Sequence, residues 1–247
     1  MKFQIVFVLC FVFLLSCKND EKLTFEPVQI TSNSCADCPK VDISIPKVLE
    51  NSKIGRTIET ALQEEIIFLL TFDEEVDAKS IKEAIQSFNK GYMDLKELYS
   101  DESVGWEANI AGKVTFEDQN RLTILLDSYI FTGGAHGYSG KRFLNFGKKK
   151  GKELETWEIF KNMPEFEDFA EEKFREQENI ALDRAINSTG FMFENDEFYL
   201  PENIGFTEEG LQLLYNQYEV ASYADGPIVL TLSYNDINAF LNTKVKS

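Results

Sequence analysis

From Phe3 to Leu15 the chain is almost wholly apolar, and the run stops at Ser16-Cys17, just before the polar stretch Lys18-Asn19-Asp20-Glu21. A helix needs about 20 apolar residues to cross the hydrocarbon core of a bilayer, so this run is too short to span one. With basic Lys2 in front and a small residue at its end, it has the order of a secretory signal peptide, residues 1–16. The fold is then built from residues 17–247 alone, in a compartment where disulfides persist.

Leu14-Leu15-Ser16-Cys17 resembles the lipobox of bacterial lipoproteins. That resemblance implies cleavage before Cys17 and attachment of fatty acyl chains, palmitate among them, to its sulfur and its new amino terminus. Each buried methylene of such chains adds about 0.8 kcal/mol of membrane affinity, and two or more chains anchor stably. Lys18-Asn19-Asp20-Glu21 is similar to the acidic export tags of some surface lipoproteins, which implies an outer-membrane protein and leaves the leaflet open.

Loss of Lys2 with the signal makes the mature chain one charge more negative than the formal −17 of the whole. Such a surface repels phosphates and excludes nucleic acid as a partner, while it speeds encounter with cationic proteins. Acidity also serves plain solubility. The 21 phenylalanines supply enough apolar bulk for a core without staples.

Cys35 and Cys38 are the cysteines left once Cys10 and Cys17 are assigned to the signal and the lipid. A redox pair needs its first thiolate at a helix N-terminus, whereas this pair lies between two strand-like runs. Zinc needs four ligands, and His136, a hundred residues away, is the one other candidate. A small structural disulfide is the plainest reading, with redox chemistry the alternative. No cofactor and no metal site is expected.

Periodicity predicts an α+β fold of two small domains with mainly antiparallel sheets packed by helices. Residues 17–39 read as a lipidated tether carrying the CxxC pair, 40–147 as an N-terminal α+β domain ending in a glycine-rich hairpin, and 148–247 as a C-terminal α+β domain. Leu23 to Ile30 and Val41 to Ile45 read as strands. Ile54, Ile58, Leu62 and Ile66 recur at four-residue steps, predicting a helix capped at Asn51 or Ser52. Ile81, Ile85, Phe88, Tyr92 and Leu95 predict a second, with Ser80 and Glu83 spaced as a capping box and Gly91 as a weak point.

Trp106 to Phe116 and Leu122 to Phe131 read as a hairpin, the second strand apolar on both sides as in a sheet covered by helices. Phe143, Leu144 and Phe146 continue that sheet, and Lys148 to Lys152 makes a solvated basic turn. Pro164 opens a third helix running to Ala181. Leu211 to Tyr215 and Ile228 to Ser233 are strands, and a short helix from Asn235 or Asp236 to Leu241 closes the chain.

The chemically suggestive stretch is Thr132-Gly133-Gly134-Ala135-His136-Gly137-Tyr138, which holds the chain's one histidine. Its glycines allow positive φ and close backbone approach. Gly133, Gly134, His136, Gly137 and Tyr138 are therefore the ligand-binding candidates; the competing role for His136 is to lock the turn through a carbonyl. No serine motif or second histidine accompanies it, so no catalytic residue is assigned. Tyr215, Tyr218 and Tyr223 could stack on a sugar or simply pack the sheet.

Gly133-Gly134-Ala135-His136-Gly137, Asn145-Phe146, Gly151-Lys152-Glu153-Leu154 and Trp157-Glu158-Ile159-Phe160 resemble the RsiV-like envelope proteins, a pair of domains of unknown function. Asn203, Phe206-Thr207, Glu209-Gly210-Leu211, Tyr215, Tyr218-Glu219, Tyr223-Ala224 and Gly226 extend the likeness, which spans about residues 40–241. That family is represented by a lysozyme-sensing anti-sigma factor and by domains fused to peptidoglycan deacetylases. The resemblance implies a lipid-anchored extracytoplasmic module without chemistry of its own, binding a cell-wall glycan or a cationic wall-degrading protein such as lysozyme. Two other classes stay open. One is a wall-modifying enzyme using paired carboxylates, with Glu64-Glu65, Asp73-Glu74-Glu75 and Glu208-Glu209 as the adjacent pairs; the other is an assembly subunit of an envelope complex.

Overall fold

The structure is a computed structural model that describes residues 22–32, 38–72, 77–99 and 104–246. Cys17, Cys35 and the Asp73-Glu74-Glu75 run lie outside the described residues. The chain runs β1 (Phe25–Ser32), β2 (Lys40–Val48), α1 (Lys53–Leu70), α2 (Ile81–Leu98), β3 (Glu107–Glu117), β4 (Arg121–Phe131), β5 (Tyr138–Gly147) and β6 (Lys152–Glu153). It continues with α3 (Thr156–Ile159), α4 (Met163–Glu178), β7 (Asn203–Phe206), β8 (Leu211–Tyr215), β9 (Ile228–Leu232) and α5 (Tyr234–Ile237). The fold is α+β, as its sequence predicts. Strands β1 to β6 form one sheet in chain order and β7 to β9 a second.

Every strand pairing is antiparallel except β2 with β3. Parallel neighbours need a long crossover, and the two helices α1 and α2 provide it. Ser52 caps α1 by accepting from the Gly55 N–H at 3.1 Å, and Ser80 caps α2 by accepting from the Glu83 N–H at 3.2 Å. The return bond of the expected box goes one residue earlier, from the Lys79 N–H to the Glu83 carboxylate at 2.8 Å. Ile58, Leu62 and Ile66 of α1 and Phe88 of α2 bury their apolar face against Leu122, Ile124 and Leu126 of β4. Each such side chain contributes about 1.5–3 kcal/mol. Gly91 is a seat rather than a flaw: a Cβ there would lie 2.4 Å from the ring of Phe72, which packs on Trp106 with centroids 4.7 Å apart.

Four expectations change. The tether does not reach residue 39, because β1 pairs with β2 along its whole length and Leu23, Phe25 and Ile30 pack on the first core. The opposite face of β4 meets not helices but the second sheet, through Leu125, Phe143, Leu214 and Val229. In the basic turn, Lys148 is largely buried and paired with Glu117 at 2.7 Å. The third helix stops at Asn179, which takes the left-handed conformation with φ 55, so Ile180 packs from beyond the helix end.

The closing helix is a single turn, α5, after which Leu241 bridges to Phe160. Among the described residues no helix is long and apolar enough to cross a membrane.

The two sheets are joined along the part of β5 that the two-residue β6 leaves as a free edge, where backbone groups need partners. Asparagine side chains supply them. Asn216 accepts from the Lys141 N–H at 2.8 Å and donates to the Lys141 carbonyl at 3.0 Å. Asn203 accepts from the Phe143 N–H at 3.3 Å. Asn145, buried, accepts from the Thr123 hydroxyl at 2.8 Å and donates to the Ile204 carbonyl at 2.7 Å.

Candidate functional site

The glycine-rich turn joins β4 to β5 beside this seam. Gly133 and Gly134 have φ of 103° and 86°, the left-handed region that glycine enters without strain. Gly137 is needed for a different reason: a Cβ would lie 2.6 Å from the ring of Tyr129. Its backbone thereby closes down onto that tyrosine.

His136 is exposed, and its ring stacks on Tyr223 from the segment between β8 and β9, with centroids 4.1 Å apart and planes at 21°. Nδ1 lies 3.0 Å from the Gly137 carbonyl, which can only accept, so Nδ1 carries the hydrogen in that bond. The contact with a carbonyl that would lock the turn is present, and the ring remains exposed. Tyr223 in turn lies against Tyr218, centroids 5.4 Å apart.

Tyr218 is the strained member. Its φ is +67, it is 56% exposed, and it stands at the rim of a hollow of about 710 Å³. Tyr138, Tyr199, Leu200, Glu202, Asn203, Asn216, Gln217 and Glu219 line the rest. A second hollow of about 530 Å³ shares Tyr138, Glu202, Asn203 and Asn216 and continues past Lys141 and Arg142 to Glu64, Glu65 and Phe68 at the end of α1. Together they make a groove along the join of the two sheets.

Of the five sequence candidates, Tyr138 lines both hollows and His136 reaches the groove rim through the Tyr223–Tyr218 stack. The three glycines shape the turn. Tyr215, by contrast, is fully buried and its hydroxyl donates to the Tyr199 carbonyl at 2.6 Å, so it packs the sheet. Tyr199, Glu202, Asn216 and Gln217 carried no local signal, because they come together only when β7 and β8 dock on β5. Asn203, Tyr218 and Glu219 stood within the family pattern but without a role.

The groove's carboxylates are the electrostatic feature. Glu219 accepts from the Asn216 N–H at 2.7 Å, and burial, with nearby Glu202 adding to it, holds its carboxyl above the ordinary range. Its proton is therefore kept in the folded chain at a pH where the unfolded chain has lost it. The stability it lends is full below the ordinary carboxylate value and declines as pH rises through the raised folded value. Glu219→Gln should then gain stability relative to the parent at neutral pH and lose that advantage in mild acid, a difference that paired melting curves across that range would display.

Lys141 and Arg142 are already engaged, with Asp127 and with Glu65 at 3.4 Å. The exposed Glu208 and Glu209 sit on the turn between β7 and β8, away from the groove. Cys38 takes part in a disulfide whose second cysteine lies outside the described residues. Among the described residues, no cluster of three or more His, Cys, Asp or Glu is placed to hold a metal ion.

Residues 158–235 match the family described as "Protein of unknown function (DUF3298)", and residues 32–139 match the family described as "Deacetylase PdaC". The two matched stretches follow one another along the chain. A curated relative is the peptidoglycan-N-acetylmuramic acid deacetylase PdaC of Bacillus subtilis, 22% identical over 88% of this chain. The match takes in 45% of that enzyme, so this chain spans less than half of its length.

Two solved structures share the fold. A DUF3298-family protein of Bacteroides fragilis superposes with a TM-score of 0.70 at 21% identity, over 92% of this chain and 96% of that one. A DUF3298-family protein of Pseudomonas aeruginosa gives 0.65 at 21% identity, over 92% and 99%.

Proposed function

We propose that the chain is an extracytoplasmic binding module, tethered by acyl chains on Cys17, that holds a cell-wall glycan in the groove between its two sheets and does no chemistry on it. The outer membrane is its site, as the residues after Cys17 suggest. The observation that carries this reading is Tyr218. A non-glycine residue in the left-handed region costs about 1–3 kcal/mol. Its ring is more than half exposed, so burial returns little of that cost. What the conformation does is stand an aromatic face at the rim of the groove that Tyr138 also lines, where the C–H face of a sugar can stack. The PdaC match supports the wall as the setting, since that relative's name places it on peptidoglycan.

Tyr218→Gly tests the reading on two axes. Relief of the backbone strain should leave the protein as stable as the parent, or up to about 1 kcal/mol more so. Affinity for muropeptide oligomers should fall about tenfold, the worth of one stacking ring. Titration calorimetry with the parent and the variant reads the affinity and paired melting curves read the stability; oligomers that release no heat with the parent would remove the glycan reading.

The formal charge of −17 favours a second ligand class, a cationic protein such as a lysozyme drawn to the acidic surface. Retention of lysozyme on the immobilised chain that survives physiological salt is the result this reading requires.

A further inference from the structure

We infer that the hollow beneath Tyr218 selects glycans carrying free amino groups over their N-acetylated forms. This rests on the glycan reading above and goes further by naming the sugar class. Within the hollow of about 710 Å³, none of the lining residues is a lysine, arginine or histidine, whereas Glu202 and Glu219 both face it. Its volume lies in the range of about 300–1,000 Å³ typical of small-ligand sites. The rings of Tyr138, Tyr199 and Tyr218 supply stacking faces, while the amide of Asn216 is committed to the β5 backbone.

A neutral acetamido group would leave the two carboxylates of the hollow without a counter-charge. An ammonium on the sugar ring supplies that charge and can donate to both, and hydrogen bonds to ionised groups are about twice as strong as neutral ones. The Glu219 carboxylate is already oriented by the Asn216 N–H at 2.7 Å, so one partner of the ammonium is held in place before binding. Two carboxylates and stacking rings make a donor-seeking, cationic-sugar site.

The test is titration of the full mature chain with the tetramer of glucosamine and with the tetramer of N-acetylglucosamine, at neutral pH and physiological salt. The glucosamine tetramer should bind about tenfold or more tightly. Glu202→Gln should bring the two toward parity, while Glu208→Gln, at the opposite end of β7, should leave the preference intact. Equal or tighter binding of the N-acetylated tetramer overturns the amine selectivity and leaves the glycan groove standing. Binding of neither tetramer overturns both readings. Tetralysine binding more tightly than the glucosamine tetramer also overturns the selectivity, because the groove would then be reading charge without the sugar.

Discussion

Phe174→Ala is expected to destabilise the protein by about 3–5 kcal/mol. Phe174 is fully buried in α4 and stands at the hub of the second core. Its ring lies 5.0 Å from Phe191, 5.4 Å from Phe193, 5.5 Å from Phe198 and 6.0 Å from Tyr215. Most of these pairs meet edge to face, which adds about 0.5–1.5 kcal/mol each beyond the burial of area. Removing the ring leaves a cavity walled by the segment that carries Phe191, Phe193 and Phe198 and by Tyr215 of β8, so it cannot collapse by moving one of them alone. Urea unfolding of parent and variant gives the difference directly. A loss below about 1.5 kcal/mol would mean that the surrounding rings close over the gap, contrary to the fixed packing described here.

Gly205→Val should be comparably severe, and for the opposite reason. Gly205 sits in β7, where the second sheet crosses β5, and any Cβ would lie 2.1 Å from the ring of Phe143. No real contact is that short, so either Phe143 leaves its place in the small core with Leu125 and Leu214 or the sheets separate. Overpacking of this kind costs about 1–3 kcal/mol and sometimes more. The double variant Gly205→Val with Phe143→Ala should recover part of the loss. Full additivity of the two substitutions in a double-mutant cycle would show that the clash is not what holds the variant back.

Separation of the sheets would also reach the groove. Asn203 and Asn216, which line it, are the side chains that satisfy the edge of β5. A Gly205 variant should therefore lose glycan affinity along with stability, whereas Phe174→Ala acts on a core that lies behind β8.

The helices α1 and α2 were legible in the sequence because a face buried every three or four residues leaves a regular trace, and because Ser52 and Ser80 mark their starts. The hairpin β3–β4 and the strands β5, β8 and β9 were legible through their apolar runs. Strand β7 was not: Asn203–Phe206 is four residues long, buried at every position, and interrupted by Gly205, so it shows neither alternation nor length. The end of α4 was misread because Ile180 is as buried as a helical core residue would be. What set the boundary was the left-handed Asn179, a backbone choice that apolar spacing does not record.

The site divides the same way. Three glycines around one histidine announced a shaped turn, and the turn is there. Its aromatic partner Tyr223 and the strained Tyr218 come from a segment some eighty residues later. Local composition determined the α+β class, the helices and hairpins, the sharp turn before β5 and the acidic charge, since each depends on neighbours within one or two turns of chain. The tertiary structure alone decided that β1 joins the sheet, that β2 and β3 run parallel, and that a groove lined by carboxylates and aromatic rings exists. Those features arise from contacts between distant segments, where the free edge of β5 must find hydrogen-bond partners and the side chains that provide them become the walls of the groove.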